Sequence, residues 1–159
     1  MSWISRHSAW GAAALALLWC APVSAQTWRE TQLWTAVVAS RPAVALAGVG
    51  LALRDEGRTR IGGALAAGVP ADGGWAARAE LAWHFLLDPG RQGGGWLYGG
   101  GGAALSVRSH SRVRPWAQLV LGFESSPAGP SGVFVEAGVG GGVRVAAGIR
   151  LRKRNAPGR

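Results

Sequence analysis

The sequence predicts an all-β protein: an antiparallel up-and-down transmembrane β-barrel of about eight strands, preceded by a cleaved export signal. Three observations carry this. After Ala25 no apolar run approaches the roughly 20 residues that a membrane-spanning helix needs. Segments of about ten residues recur between turn signals instead. Several of these segments are apolar on one face and ionic on the other, most visibly residues 75–87, WAARAELAWHFLL. Read as a strand, one face holds Trp75, Ala77, Ala79, Leu81, Trp83, Phe85 and Leu87; the other holds Ala76, Arg78, Glu80, Ala82, His84 and Leu86. A barrel in lipid needs such side-chain alternation between bilayer and lumen.

The chain opens with Arg6, a short apolar run over residues 9–21, and Val23-Ser24-Ala25 before Gln26. That is a secretory signal with cleavage after Ala25, and its apolar run is too short for a helical anchor. Cys20 raises lipidation as an alternative, but bulky Trp19 occupies a place where a small residue is wanted. The expected division is therefore a signal peptide over 1–25, a barrel over 26–152 and a basic tail over 153–159.

Cleavage removes Cys20 and Met1, which are the single Cys and single Met of the chain. No disulfide framework, thiol nucleophile or cysteine-ligated metal follows. Arg6 is the one charge lost, so 17 basic residues become 16 against 8 acidic ones, a balance of +8. About 134 residues remain, enough for one domain. A basic excess raises nucleic acid as a partner, but export and the lack of a nucleic-acid motif argue against it. Anionic membrane lipid or lipopolysaccharide phosphates suit the charge better. Part of the excess is assigned to the tail region, including Arg150, Arg152, Lys153, Arg154 and Arg159.

The first strand, residues 30–39, alternates poorly, and a short helix over 28–38 is the alternative. The second spans 43–53, before the Asp55-Glu56-Gly57 turn. The third spans 59–69, with Arg60 opposite the face of Ile61 and Leu65. Residues 70–74 form a turn, and 75–87 is the fourth strand. Its Ala, Leu, Arg and Glu content also suits a helix, but its two-faced neighbours favour a strand. The fifth, 96–107, has Leu97, Ala103, Leu105 and Val107 on one face. The sixth, 116–124, places Trp116, Gln118, Val120 and Glu124 opposite Leu119, Leu121 and Phe123; Pro115 suits a strand start. The last two, 132–140 and 142–152, have the cleanest alternation, with Glu136, Arg144, Arg150 and Arg152 on the charged face.

On the export signal, strand count and alternation, ending in GVFVEAGVGGGVRVAAGIRLR, the chain resembles the small eight-stranded outer-membrane barrels of Gram-negative bacteria, the outer membrane protein A-like group. The resemblance covers residues 26–152. It implies an outer-membrane location, a barrel with periplasmic termini, delivery by the barrel-assembly machinery, and a monomer. Two departures stand out. The chain ends in a basic tail rather than an aromatic residue. With that orientation the outer connections, near 40–42, 70–74, 109–111 and 140–142, are short.

The expected interior network is Arg60, Arg78, Glu80, His84, Gln118, Glu124, Glu136, Arg144 and Arg150. Buried charges must pair; Arg78 with Glu80 or Glu136, and Arg144 with Glu136 or Glu124, are the candidate pairs. A small pore or ligand site is the sharper alternative, but eight strands leave little lumen. The expected aromatic girdle is Trp75, Trp83, Phe85 and Phe123. Glu80 and His84 share a face, but no third metal ligand follows from spacing. Ser109-His110-Ser111 invites comparison with lipid A deacylases, but adjacent strand residues face opposite sides, and Arg112 stands where the serine is needed. Residues 99–102 are not a phosphate loop; they leave bare backbone for a bulky neighbour such as Trp116. The expected function is therefore a non-enzymatic outer-membrane barrel of structural or interaction type, without cofactor or metal. The alternatives are a soluble periplasmic barrel for an apolar ligand, or a lipid-modifying barrel enzyme.

Overall fold

Each alternating segment can satisfy its backbone only by pairing on both sides, and closure into a barrel does that without leaving an edge. A computed structural model of the chain describes residues 27–55, 59–87, 94–109, 111–127 and 129–154. The expected signal peptide and its cleavage point lie outside the described residues, as does His110. The elements are β1 (Thr27–Ala39), β2 (Val44–Asp55), β3 (Thr59–Pro70), β4 (Ala76–Leu86), β5 (Trp96–Arg108), β6 (Arg114–Glu124), β7 (Ser131–Val139) and β8 (Val143–Arg154). Each pairs antiparallel with its neighbours in sequence, and β8 pairs with β1 to close the barrel. This is the eight-stranded barrel expected from the alternation.

Three of the boundary differences change what the barrel contains. β1 is a strand from Thr27 onward, not a helix, because it pairs over its length with both β2 and β8. β2 runs on to Asp55, which brings Arg54 into the barrel. β8 continues through Arg154, two residues into the stretch read as a tail; Lys153 is paired with Arg29 of β1. Pro115 sits in the second position of β6, near its start, facing Leu105 of β5.

Two turns depend on glycine. The β3–β4 turn holds Gly73 at φ 93° and Gly74 at φ 83°, and the β7–β8 turn holds Gly141 at φ 79°. Side-chain-bearing residues rarely adopt these angles. Trp116 does not lie against residues 99–102. It packs over Gly141 instead, while His84 faces Gly100 across the β4–β5 pair.

The barrel is inverted relative to a water-soluble protein. Its exposed outer face carries large apolar side chains on every strand, such as Leu51 at 70% and Leu65 at 66% exposure. Its buried interior carries charge. An apolar cluster (Trp34, Ala36, Val38, Val44, Leu46, Ala66, Ala76, Phe134, Ala146) fills part of the lumen toward the end bearing the β1–β2 and β7–β8 turns. We call that end the hairpin mouth and the opposite one the terminal end.

Candidate functional site: the charged interior

A residue beside an outward Leu or Val in a strand must point inward. That rule puts Arg54 next to Leu53, Arg60 next to Ile61, Tyr98 next to Leu97 and Glu124 next to Phe123. All four are buried. Among the described residues the interior brings together four glutamates (Glu30, Glu80, Glu124, Glu136) and six arginines (Arg54, Arg60, Arg78, Arg144, Arg150, Arg152).

These groups form a continuous chain along the lumen. Near the hairpin mouth, Arg78 Nε donates to Glu80 Oε1 at 2.6 Å. Its other nitrogens reach Ser106 Oγ at 3.2 Å, the Gly140 carbonyl at 2.9 Å and Gln118 Oε1 at 3.2 Å. One side chain thus ties β4 to β5, to β6 and to the β7–β8 turn. Glu80 also lies 3.5 Å from Arg144 Nε, and Arg144 Nη1 donates to Glu136 Oε2 at 2.9 Å. Tyr98 donates its hydroxyl proton to Glu136 Oε1 at 2.7 Å and accepts from Arg150 Nη2 at 2.8 Å.

Arg150 carries the chain onward to Glu124. Glu124 also accepts from Arg54 Nη1 at 2.9 Å, from Arg60 Nη1 at 3.2 Å and from Arg152. Glu30 completes the terminal end, accepting from Arg152 Nε at 2.8 Å and Arg54 Nη1 at 3.3 Å. Its second oxygen accepts no hydrogen bond and makes only an ion contact with Arg60 Nη1 at 3.7 Å. Aromatic faces take up part of the cationic surface. The Arg150 guanidinium carbon lies 4.1 Å from the Phe134 ring centre, that of Arg60 4.7 Å from Tyr98, and that of Arg144 4.8 Å from Trp34.

Of the residues named from the sequence, Arg60, Arg78, Gln118, Glu124, Glu136, Arg144 and Arg150 are buried, and Glu80 and His84 are half-buried and line an interior cavity. Of the candidate pairs, Arg78–Glu80 and Arg144–Glu136 form; neither Arg78–Glu136 nor Arg144–Glu124 is among the ion pairs. Four interior polar residues stand outside the expected network: Glu30, Arg54, Tyr98 and Arg152. Alternation alone places Glu30, Tyr98 and Arg152 within the strands expected at 30–39, 96–107 and 142–152; Arg54 needs the second strand to run on to Asp55. Arg150 and Arg152 are not tail charge: Arg150 is fully buried, and both pair with interior glutamates.

His84 stands edge-on to Tyr98 with ring centres 5.4 Å apart, and its Nδ1 has no hydrogen-bond partner. Glu80 is engaged by Arg78 and Arg144 rather than by His84. Among the described residues no group of three His, Cys, Asp or Glu side chains is placed to hold a metal. A cavity of about 30 Å³ lies among Arg60, Glu80, His84, Gln118 and Arg144. Polar and apolar side chains both line it, and it has room for a water molecule. The arrangement ties strands to one another through ion pairs.

Outside, Trp75, Trp83, Phe85 and Phe123 are all exposed, at 45–54%. Trp83 and Phe85 stack at 5.2 Å. The register places Phe85 opposite Gly99 and Phe123 opposite Leu97, so these aromatics cluster toward the terminal end. Trp75 stands beyond the other end of β4.

No protein-family model matches the chain, and no curated protein is similar to it in sequence. Solved structures share its fold. The N-terminal β-barrel domain of OprF from Pseudomonas aeruginosa is 15% identical with a TM-score of 0.62, over 80% of this chain and 98% of that one. Neisserial surface protein A is 11% identical with a TM-score of 0.60, over 79% and 96%. Ail, the attachment invasion locus protein of Yersinia pestis, solved with the heparin analogue sucrose octasulfate, is 10% identical with a TM-score of 0.52, over 81% and 99%. The fold is the eight-stranded antiparallel barrel of small outer-membrane proteins.

Proposed function

We infer that the protein is a non-enzymatic outer-membrane barrel of structural or interaction type, its lumen sealed by the arginine–glutamate chain. The observation that carries this is the inversion of polarity. Ionic side chains in the strands face inward, and the outward band is apolar on every strand. Among the described residues the exposed charges stand near the strand ends, as do Arg29, Asp55, Arg114 and Lys153, or in the connections, as do Arg41, Asp72 and Arg112. Water would leave that band a large exposed apolar surface, which soluble monomers avoid. A bilayer covers it. Ten residues of tilted strand rise roughly 23 Å, close to the apolar band of such barrels. Trp75 at one end and Trp83, Phe85 and Phe123 toward the other would then stand at the two interfaces.

The partners on this reading are membrane lipid and lipopolysaccharide, drawn by the basic balance, and the barrel-assembly machinery; the barrel acts as a monomer. A soluble barrel holding an apolar ligand fits less well, because the lumen is lined by ion pairs. A pore fits less well for the same reason: Arg78 and Arg150 bridge the lumen at two levels. With both termini periplasmic, the hairpin mouth faces outward.

Membrane fractionation tests this. The protein is expected in the outer-membrane fraction, resistant to alkaline extraction, with an electrophoretic mobility that changes on boiling. Recovery as a soluble periplasmic protein would overturn it.

A further inference from the structure

The hairpin mouth is not flat. It holds a cup of about 360 Å³ in which arginine predominates. Arg41, Arg108, Arg112 and Arg114 stand on its walls, from the β1–β2 turn, the end of β5, the β5–β6 connection and the start of β6. The lining contains no aspartate or glutamate, and among the described residues none of these four makes an ion pair. The interior follows the opposite rule, in that each of its arginines lies within reach of a glutamate. Like charges gathered without counter-charge repel one another, so an anion that enters the cup is attracted to it.

Two features give the cup a shape as well as a charge. Its floor is Arg78, which is 5% exposed and held by Ser106, Gln118 and the Gly140 carbonyl. A ligand entering the mouth therefore stops there. Arg108 is positioned by donating to Ser40 Oγ at 2.8 Å, and Ser40 in turn donates to the Pro42 carbonyl at 2.7 Å. Trp116 lines the same cup, seated on Gly141. Guanidinium forks match the oxygens of phosphate and sulfate esters, and an indole offers an apolar face with a polar edge. The volume lies within the range of small-molecule pockets.

We propose that the hairpin mouth is a binding site for a compact polyanion that carries several phosphate or sulfate esters, gripped by Arg41, Arg108, Arg112 and Arg114. The inference goes beyond the membrane assignment and does not depend on it, since binding is read on the folded barrel in detergent.

The test is titration with inositol hexakisphosphate and inositol hexasulfate, followed by calorimetry and tryptophan fluorescence, with myo-inositol as the neutral control. Saturable binding of at least one polyanion is expected, weakening steeply as salt rises from about 0.05 to 0.5 M. Tighter binding of the phosphate or of the sulfate compound identifies which ester the cup takes. The double substitution Arg112→Gln/Arg114→Gln lies on exposed side chains and should leave the heat-modifiable mobility intact. It should weaken binding about tenfold or more. Arg29→Gln/Lys153→Gln, at the terminal end, should change it less than about twofold. Absence of saturable binding overturns the proposal. So does equal loss from both double variants, which would mean diffuse attraction to a basic protein.

Discussion

Glu124 accepts hydrogen bonds from Arg54, Arg60, Arg150 and Arg152, four cations from three strands around one carboxylate. Removing one partner of a buried ion pair leaves charge unpaired, and that costs about 3–5 kcal/mol where the pair is fully buried. Glu124→Ala should therefore lower the unfolding free energy of the detergent-folded barrel, read from its urea titration, by an amount in that range. An unchanged midpoint would mean that the four arginines find water instead. Tyr98→Phe makes a finer cut, removing only the hydroxyl that links Glu136 to Arg150. Its expected cost is about 1–3 kcal/mol, because Glu136 loses a donor in a buried setting. Alternation shows that Glu124 and Arg150 face inward. It does not show that Arg150 meets Glu124 and Glu136 together, because those contacts join residues 26 and 14 positions apart on other strands.

Strands differ in how much space they leave one another, and glycine marks the difference. Gly122 on β6 lies under the Tyr98 ring, where an added Cβ would overlap the ring atoms. Tyr98 is held by hydrogen bonds on both sides and cannot retreat, so Gly122→Ala should destabilise the barrel by about 1–3 kcal/mol. Gly63 on β3 faces outward, and its nearest neighbour to an added Cβ is the Glu80 carbonyl at 3.6 Å. Gly63→Ala should be neutral or stabilising, by up to about 1 kcal/mol, through loss of unfolded-chain freedom. Urea melts of the two variants side by side check the contrast; equal effects would remove Tyr98 packing as the cause. Nothing in the sequence separates these two glycines except their parity along the strand. Parity told inside from outside correctly, and the close contact came only with the register that sets β5 beside β6.

For the molecule as a whole, the question is which solvent surrounds the barrel. Leu65 sits midway along β3 with 66% of its surface exposed. In water, Leu65→Arg would change stability by no more than about 0.5 kcal/mol. At the bilayer midplane the same change costs about 2–4 kcal/mol. Unfolding titrations in phospholipid vesicles should show the larger loss. A change within about 0.5 kcal/mol would place Leu65 away from lipid and count against a membrane-spanning band.

Strand number, strand order and the facing of nearly every residue were determined by the sequence alone, because a period of two leaves each side chain one of two directions. The ends of strands were less legible. β1 and β8 extend past their local pattern because each completes the other, and closure supplies a partner that neither segment reveals by itself. The tertiary structure alone decided which charges meet. It drew Glu30, Arg54 and Arg152 into one cluster and joined Arg78 to three other parts of the barrel. Among the described residues it also left the four arginines on the walls of the cup without an ion pair. Alternation fixes direction, a local property of the backbone; pairing depends on the stagger of eight strands around a common axis, which no single segment contains.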